Sequence, residues 1–552
     1  MSTVEGVAPR KDHGEHKLGF WRKAGFGIGD FYGGGALIVV GSYYLFFLTD
    51  VVRINPSLAG FVVLISRVWD AVSDPLMGVL SDRTRTRWGR RRPYMLAGIL
   101  LVFASFTLLW YPSALETEMG RFFIALISYL FFSTVITMVM IPYNALASEL
   151  TLDYNERTSI SAFRIVFSSI SSVLCAVLPL EIVQRFPTQR AGFLAMGAFF
   201  GIFFALPFLA VFFATREREE FQGEIAPFSF RKMLVEPFRN TPFVRVLLMY
   251  VFAFVAIDIL NSVVIYFMTH YLDRGGETQY VLGTLLVAQL AAIPFYSMFS
   301  RRTGKRAGYV LALVIWLVTM PISFLLGPGQ PGALIYIFAA VVGVATGGIV
   351  VMLYSMFPDM PDVDELLTGR RREGIYSGLL TFSRKLASAI GVFALSQGLA
   401  FAGYQQPVER IIDGIPQNVP MPQSPEFILI LRYIFAVAPV FFLGAALIVA
   451  LRYPLSPQVH DRLKAFLAAR RGTSAEEIEG DLPPVTADNE TERELKAILG
   501  VQGKEPPNGA DAGSDRKDRG NDRAGGDNGA GGDNGAGGDR GPAAGDDAGG
   551  RA

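Results

Sequence analysis

Residues 58–80 read "LAGFVVLISRVWDAVSDPLMGVL". The length and apolar flanks of this stretch predict a membrane-spanning helix, because an apolar bilayer core takes about 20 helical residues. Yet the stretch contains Arg67, Asp70 and Asp74. A charge at the bilayer centre costs at least about 2.5–3.5 kcal/mol on insertion scales, so carboxylates there are functional candidates. Asp70 and Asp74 stand at i and i+4 and share one helix face. Pro75 follows at once and removes the backbone donor that the carbonyl of Ala71 would otherwise meet. Carboxylates beside a freed carbonyl suit a small monovalent cation such as Na⁺. Two close carboxylates also suit a shared proton. Arg67, one turn before Asp70, is placed to neutralise it. The competing reading is a buried ion pair that only locks this helix to a neighbour.

The rest of the chain fits a polytopic membrane protein. Hydrophobic residues make up 51% of its 552 residues, Phe occurs 44 times, and the net charge is +1. Mean hydropathy is +0.36. Such a composition argues against a soluble domain. The single cysteine, Cys175, excludes an intramolecular disulfide and a cysteine-rich metal centre. The polar start "MSTVEGVAPRKDHGEHK" carries no cleavable signal pattern, so the first spanning helix is expected to direct insertion. A phosphate-binding G-x-x-x-x-G-K-[ST] loop, an H-E-x-x-H motif and a serine elbow at a membrane edge are not found. An enzyme, an ATP-driven pump, a bound cofactor and a nucleic-acid partner are therefore not expected.

Twelve segments are long and apolar enough to span. They fall near 24–49, 57–81, 94–112, 122–149, 158–183, 190–214, 243–271, 278–299, 307–326, 332–357, 374–402 and 426–452. "GVLSDRTRTRWGRRRPYMLAG" after the second segment echoes "YSMFSRRTGKRAGYVLA" after the eighth, and "IPYNALASEL" echoes "LYSMFPDMPD". The echo predicts an all-α membrane fold of two pseudo-symmetric six-helix bundles with a site between them. The expected divisions are an N-terminal segment 1–18, a bundle 19–214, a linker 215–242, a second bundle 243–453, an amphipathic tail 454–502, and a disordered Gly/Asp-rich tail 503–552. "VHDRLKAFLAARR" in the amphipathic tail is expected on the membrane surface. Arginines crowd the loop after the second helix and recur after the eighth and before the eleventh. By the positive-inside rule both termini face the cytoplasm of a cell or inner membrane.

Further polar residues stand at membrane depth. Asp30 lies among glycines in the first helix, Arg164 in the fifth and Lys385 in the eleventh. A lone cation at that depth needs an anionic partner, and Asp70 and Asp74 are the expected partners of both. Lys385 has the alternative of snorkelling to the surface. Asp258 and Asn261 in the seventh helix line a cavity or hydrogen-bond helix to helix. His270, near the end of that helix, is expected at the surface.

At these residues the chain resembles the major facilitator superfamily. Within it, the chain resembles the glycoside–pentoside–hexuronide:cation symporter family, which includes the melibiose permease. The resemblance covers roughly residues 19–455. It rests on "RVWDAVSDPLMG", "DRTRTRWGRRRP", "IPYNALASELTLDYNERT", and "FPDMPDVDE" followed by "FSRKLASAIG". It implies a cation site at Asp70 and Asp74, with Ser73 in place of the permease's amide and Thr137 as a fourth-helix ligand. It also implies that Arg164 and Lys385 correspond to the family's conserved fifth-helix arginine and eleventh-helix lysine. The permease's sugar-binding carboxylates fall on Gly34 and Met140, and its stacking tryptophan on Asn144; Asp30 lies one turn from Gly34. The same family includes the vertebrate sodium-coupled lysophosphatidylcholine transporter, which the chain resembles in "ASAIGVFALSQGLAFAGYQ" and "IPFYSMFSRRTGKRAGYV".

The expectation is a monomeric symporter coupled to Na⁺, H⁺ or Li⁺, working by alternating access. A glycoside is the family's default substrate and a lysophospholipid the alternative. The reading from a different class is a non-transporting membrane sensor on the same scaffold.

Overall fold

Asn55, Asn240 and Ser424 each start a long helix in the same way. Their side-chain oxygens accept the backbone N–H of Ser57, Phe243 and Phe427, which would otherwise lack a partner in the first turn. Pro56 and Pro425 follow two of these caps, where the missing proline N–H does no harm. In this computed structural model, residues 18–147, 150–151, 154–215, 236–369, 372–412, 415–471 and 488–501 are described. The expected N-terminal segment up to residue 17, most of the 215–242 linker and the Gly/Asp-rich tail lie outside them.

Twelve helical spans are long and apolar enough to cross a membrane among the described residues. They are α1 (Phe20–Val51), α2 (Pro56–Arg83), α3 (Arg92–Leu109), α4 (Glu118–Ala147), α5 (Ser159–Val183) and α6 (Gln189–Ala214). The second set is α7 (Thr241–Tyr271), α8 (Gly275–Thr303), α9 (Lys305–Leu325), α10 (Ala333–Thr368), α11 (Ile375–Phe401) and α12 (Pro425–Leu451). The chain is thus a multi-pass membrane protein. The internal duplication extends to a local irregularity. α1 ends in a π-helical turn at Phe47–Val51, and α7, its counterpart, ends in one at Phe267–Tyr271.

The two bundles meet through α1 against α7, α2 against α11, and α5 against α8. An arginine-rich face carries the 83–92 and 301–306 segments. The opposite face carries a short antiparallel hairpin between α11 and α12, β1 (Val408–Ile412) and β2 (Ile415–Val419), which the all-helical expectation missed. Among the described residues, the hydrogen bonds that join the bundles run from mid-helix to this hairpin face. Ser262 donates to the Gly41 carbonyl at 2.8 Å, and Ser57 to Gln397 at 2.8 Å. Thr49 meets the Tyr266 hydroxyl at 2.7 Å.

The hairpin straps one bundle to the other. Glu409 on β1 accepts from Arg53 at 2.5 Å and from Arg190 at 3.3 Å. Asn418 on β2 donates to the carbonyls of Asp50 and Val51, at 2.8 and 3.0 Å, where the π turn ends α1. Arg53 reaches Glu409 from a left-handed backbone conformation, φ +63°, uncommon for a non-glycine residue. Beneath the strap, the Tyr404 hydroxyl donates to the buried Asp50 carboxylate at 2.6 Å. Burial first, and the Asp50 charge second, hold the Tyr404 hydroxyl protonated well above its usual range. His270 is not at the surface as expected. Its side chain is 6% exposed, with Nε2 3.5 Å from the Tyr404 hydroxyl. The π turn of α7 directs it inward between the bundles.

The amphipathic tail also meets the second bundle. Helix α13 (Pro457–Arg471) packs on the last turns of α10. Leu463, Phe466 and Leu467 are buried. His460 Nε2 lies 3.4 Å from an Asp362 oxygen and 3.6 Å from an Asp359 oxygen. The apolar stripe that suits a membrane surface is satisfied equally well by the base of the second bundle.

Candidate cation site and central charge network

Helix α2 continues unbroken through Pro75, so Asp70 and Asp74 project one turn apart from the same face. On α4, Ser133 and Thr137 repeat that i, i+4 spacing and face them. Ser133 donates to Asp70 Oδ1, and Thr137 Oγ1 donates to Asp74 Oδ1 at 2.7 Å. The other oxygen of each carboxylate meets a cation. Arg67 Nη1 is 3.3 Å from Asp70 Oδ2. Lys385 on α11, from the other bundle, sets its ammonium 2.6 Å from Asp74 Oδ2 and 3.6 Å from Asp70 Oδ2. Asp70 is 1% exposed, and Ser133 and Thr137 are buried as well.

This arrangement balances charge locally, with two carboxylates against a guanidinium and an ammonium. It also provides four carboxylate oxygens and two hydroxyls within one cluster, a donor set that suits a hard monovalent cation. Lys385 does not snorkel; it bridges the bundles. Ser73 was expected to support the carboxylates, but its hydroxyl points back to the Asp70 carbonyl at 3.4 Å. A serine inside a helix has its own upstream carbonyl within reach, and here that local bond prevails.

Arg164 also departs from expectation. Its partner is Asp30 within its own bundle, at 2.6 Å from Nε to Oδ2, and not Asp70 or Asp74. Arg164 Nη2 also donates to Asn144 Oδ1 at 2.5 Å, and the guanidinium lies over the Tyr143 ring, 4.9 Å from its centroid. Asp30 on α1 is the nearer carboxylate because α1 and α5 pack closely at Gly34. A Cβ on Gly34 would come within 2.2 Å of Ser168 Oγ and 2.8 Å of the Ser168 carbonyl. Gly34 is therefore a close packing contact between α1 and α5. Met140 on α4 lies against Gly33 of α1, where a Cβ would meet its Cε at 2.6 Å.

In the second bundle, Asp258 accepts a two-pronged pair from Arg384, at 2.6 and 2.9 Å. The Arg384 guanidinium also stacks on Phe254 at 4.5 Å. Asn261 lines a small apolar pocket inside that bundle with Leu282, Phe338 and Phe435, away from the network. Sequence reasoning missed Ser133 and Arg384. The i, i+4 match of Ser133 with Thr137 was available as a signal for the first. For the second, the pairing with Asp258 joins residues 126 apart, and no local spacing signals it.

The comparisons with known proteins agree with this architecture. A family model described as MFS/sugar transport protein matches residues 25–457. The chain belongs to that family. An uncharacterized symporter of Synechocystis is 29% identical over 82% of this chain and 98% of its own length. The Danio rerio sodium-dependent lysophosphatidylcholine symporter 1-A is 25% identical over 87% of this chain and 94% of its own. Among solved structures, a bacterial homologue of the iron transporter ferroportin shares the fold, with TM-score 0.53 and 15% identity over 78% of this chain and 96% of that one. The protein is a symporter-type transporter of the major facilitator superfamily, with the twelve-helix fold read from its sequence.

Proposed function

We propose that this transporter couples the symport of an organic solute to a monovalent cation, Na⁺ in the first instance. Asp70 and Asp74 bind the cation, and Ser133 and Thr137 complete the site. The observation that carries this reading is the Lys385 ammonium lying across both carboxylates from the opposite bundle.

The chemistry follows from charge balance. A cation entering beside Lys385 would leave the buried cluster with an excess positive charge, which is strongly disfavoured at low dielectric. Cation and ammonium therefore compete for the same oxygens. Without the cation, Lys385 holds α2 against α11. With it, that bridge between the bundles is released, and the bundles rock about the bound solute. The arginine-rich face is cytoplasmic in this reading, in accord with the positive-inside rule. The strapped hairpin face is then the outer side, closed here, in a cell membrane with both termini inside.

A lysophospholipid is the second substrate reading. The two positions where the family resemblance implies sugar carboxylates are Gly34, packed on Ser168, and Met140. Relatives named sodium-dependent lysophosphatidylcholine symporters support the same direction. Moving an acyl chain from bilayer to protein gains little, so selectivity would come from the head group, with Arg164 as its phosphate partner. Uptake into proteoliposomes, with and without Na⁺, separates the readings. Na⁺-dependent accumulation of a lysophospholipid but no glycoside supports the second. Na⁺-dependent accumulation of a glycoside alone supports the family default. No cation-dependent accumulation of any solute, with a ligand response only, would favour a sensor.

A further inference from the structure

Competition between the cation and Lys385 raises a question of destination. A displaced ammonium at this depth needs another carboxylate. On the same face of the network stands Asp258, 8% exposed on α7 of the bundle that carries Lys385. Its present partner is Arg384, the residue next to Lys385 on α11. Consecutive helical residues project about 100° apart, so one points to α7 while the other reaches α2. Asp258 also lies near enough to Arg67 for its charge to act on that guanidinium, and Arg67 in turn pairs with Asp70. Asp258 is therefore linked to the cation site through Arg384, the sequence neighbour of Lys385, and through Arg67.

We propose that Asp258 is the carboxylate that receives Lys385 when the cation displaces it, and that Arg384 regulates cation affinity by sharing that carboxylate. This inference rests on the cation-site reading above. In the empty carrier, Asp258 is bound at both oxygens by Arg384. In the loaded carrier, one oxygen passes to Lys385, and Arg384 keeps the other while stacked on Phe254. The two α2 carboxylates stay balanced in both states, and the added positive charge passes to the Asp258 pair, where Arg384 is partly exposed. Two carboxylates face Arg67 and the ammonium when empty. When loaded, they face Arg67 and the metal cation, while the ammonium joins Asp258 and Arg384. Asp258 and Arg384 are positioning residues for the coupling step and need not touch the cation.

The two halves of the pair make predictions of opposite sign. Arg384→Gln leaves Asp258 without its resident partner, so it draws Lys385 away from Asp74 and the cation binds more tightly. Asp258→Asn removes the destination, so Lys385 stays on Asp74 and the cation binds more weakly. Each shift is expected to be about fivefold or more in the Na⁺ midpoint, the lower end of ordinary coupling between sites. The double variant Asp258→Asn/Arg384→Gln is expected to stay weak, because the destination is still missing.

The test is a Na⁺ titration of the full-length protein in nanodiscs. Tryptophan emission is the readout, since Trp69 donates to Thr134 at 2.9 Å beside the site. Thermal unfolding with and without Na⁺ confirms that each variant is folded. Tighter binding in Arg384→Gln, with weaker binding in Asp258→Asn and in the double variant, is the expected result. Weaker binding in all three is what a merely structural pair would give, and it overturns the proposal. So does a double variant that returns to the unaltered midpoint, which would mean the pair acts only through its net field. An unaltered chain that shows no Na⁺ response overturns the cation-site reading and this inference with it. A normal response there, with unmoved variants, overturns the inference alone.

Discussion

Lys385 and Asp74 lie 311 residues apart in sequence and on opposite bundles, yet their charged atoms meet at 2.6 Å. This ion pair ties α2 of the first bundle to α11 of the second. From it the contacts continue through Ser262–Gly41 and Ser57–Gln397 to the hairpin strap. The pair therefore ties the two bundles directly, and a direct tie between bundles is where a switch between two bundle arrangements exerts leverage.

Lys385→Ala removes the ammonium and leaves Asp74 paired only with Thr137. Breaking a buried ion pair by removing one partner typically costs ~3–5 kcal/mol, most of it from the charge left behind. The expected result is a raised apparent Na⁺ affinity, because a competitor is gone. Net uptake slows, while exchange between preloaded vesicles and medium stays active. Uptake with unchanged rate and Na⁺ dependence would show that the ammonium takes no part.

The strap holds the hairpin face closed with partly exposed ion pairs, each worth ~1 kcal/mol or less. Glu409→Gln combined with Asn418→Ala should loosen it without unfolding the chain. A cysteine placed at Gln184 offers the readout. Gln184 lines a cavity of about 490 Å³ on that face, bordered also by Phe46, Ile265 and Asn418. Cys175, the single native cysteine, is buried and would first be replaced by serine. Faster thiol labelling in the strap variant is expected. Equal labelling rates would mean the hairpin only decorates the closed face.

Tyr404→Phe tests the layer beneath the strap. It deletes the donor that meets the buried Asp50 carboxylate at 2.6 Å, leaving Thr49 at 2.6 Å as that side chain's hydrogen-bond partner. Loss of a hydrogen bond to a buried charged group costs ~1.5–3 kcal/mol. The unfolding temperature in detergent should fall, and thiol labelling at the same Gln184 cysteine should rise. An unchanged protein in both measurements would place Asp50 outside the closed-face interaction.

Gly34→Ala probes the helix contact that fills the expected sugar-carboxylate position. The added methyl would sit 2.2 Å from Ser168 Oγ and 2.8 Å from a backbone carbonyl. Overpacking of this kind costs ~1–3 kcal/mol. The expected result is a clear loss of thermal stability, partly restored by pairing it with Ser168→Gly. A fully stable Gly34→Ala variant would contradict this close approach of α1 and α5.

The fold could be read from the sequence because spanning helices announce themselves one at a time. The 58–80 stretch carries its own length, apolar flanks and charges, and the echo between 78–98 and 296–312 gives the duplication. The carboxylate pair was visible because i, i+4 spacing is a local property. What sequence reading missed depends on contacts between distant segments. Arg164 turned to Asp30 because Gly34 lets α5 approach α1, a distance no local pattern contains. His270 went inward through a π turn, which shifts the facing of the residues after it. The hairpin had a sequence signal, Asp413-Gly414 between two short apolar runs, too short to stand out beside the spanning helices. The apolar stripe of the 459–471 segment leaves its covering surface open. An amphipathic stripe specifies that something apolar must cover it, and both a bilayer and a helical bundle qualify.

Direct binding of radiolabelled Na⁺ to the purified transporter, without any organic solute, tests the cation site most closely. Unaltered protein should bind the ion saturably, at one site per chain. Asp70→Asn and Asp74→Asn should each abolish binding at millimolar Na⁺ while keeping a cooperative unfolding transition. Saturable binding that persists unchanged in both variants would contradict the assignment of the α2 carboxylates as the cation's ligands.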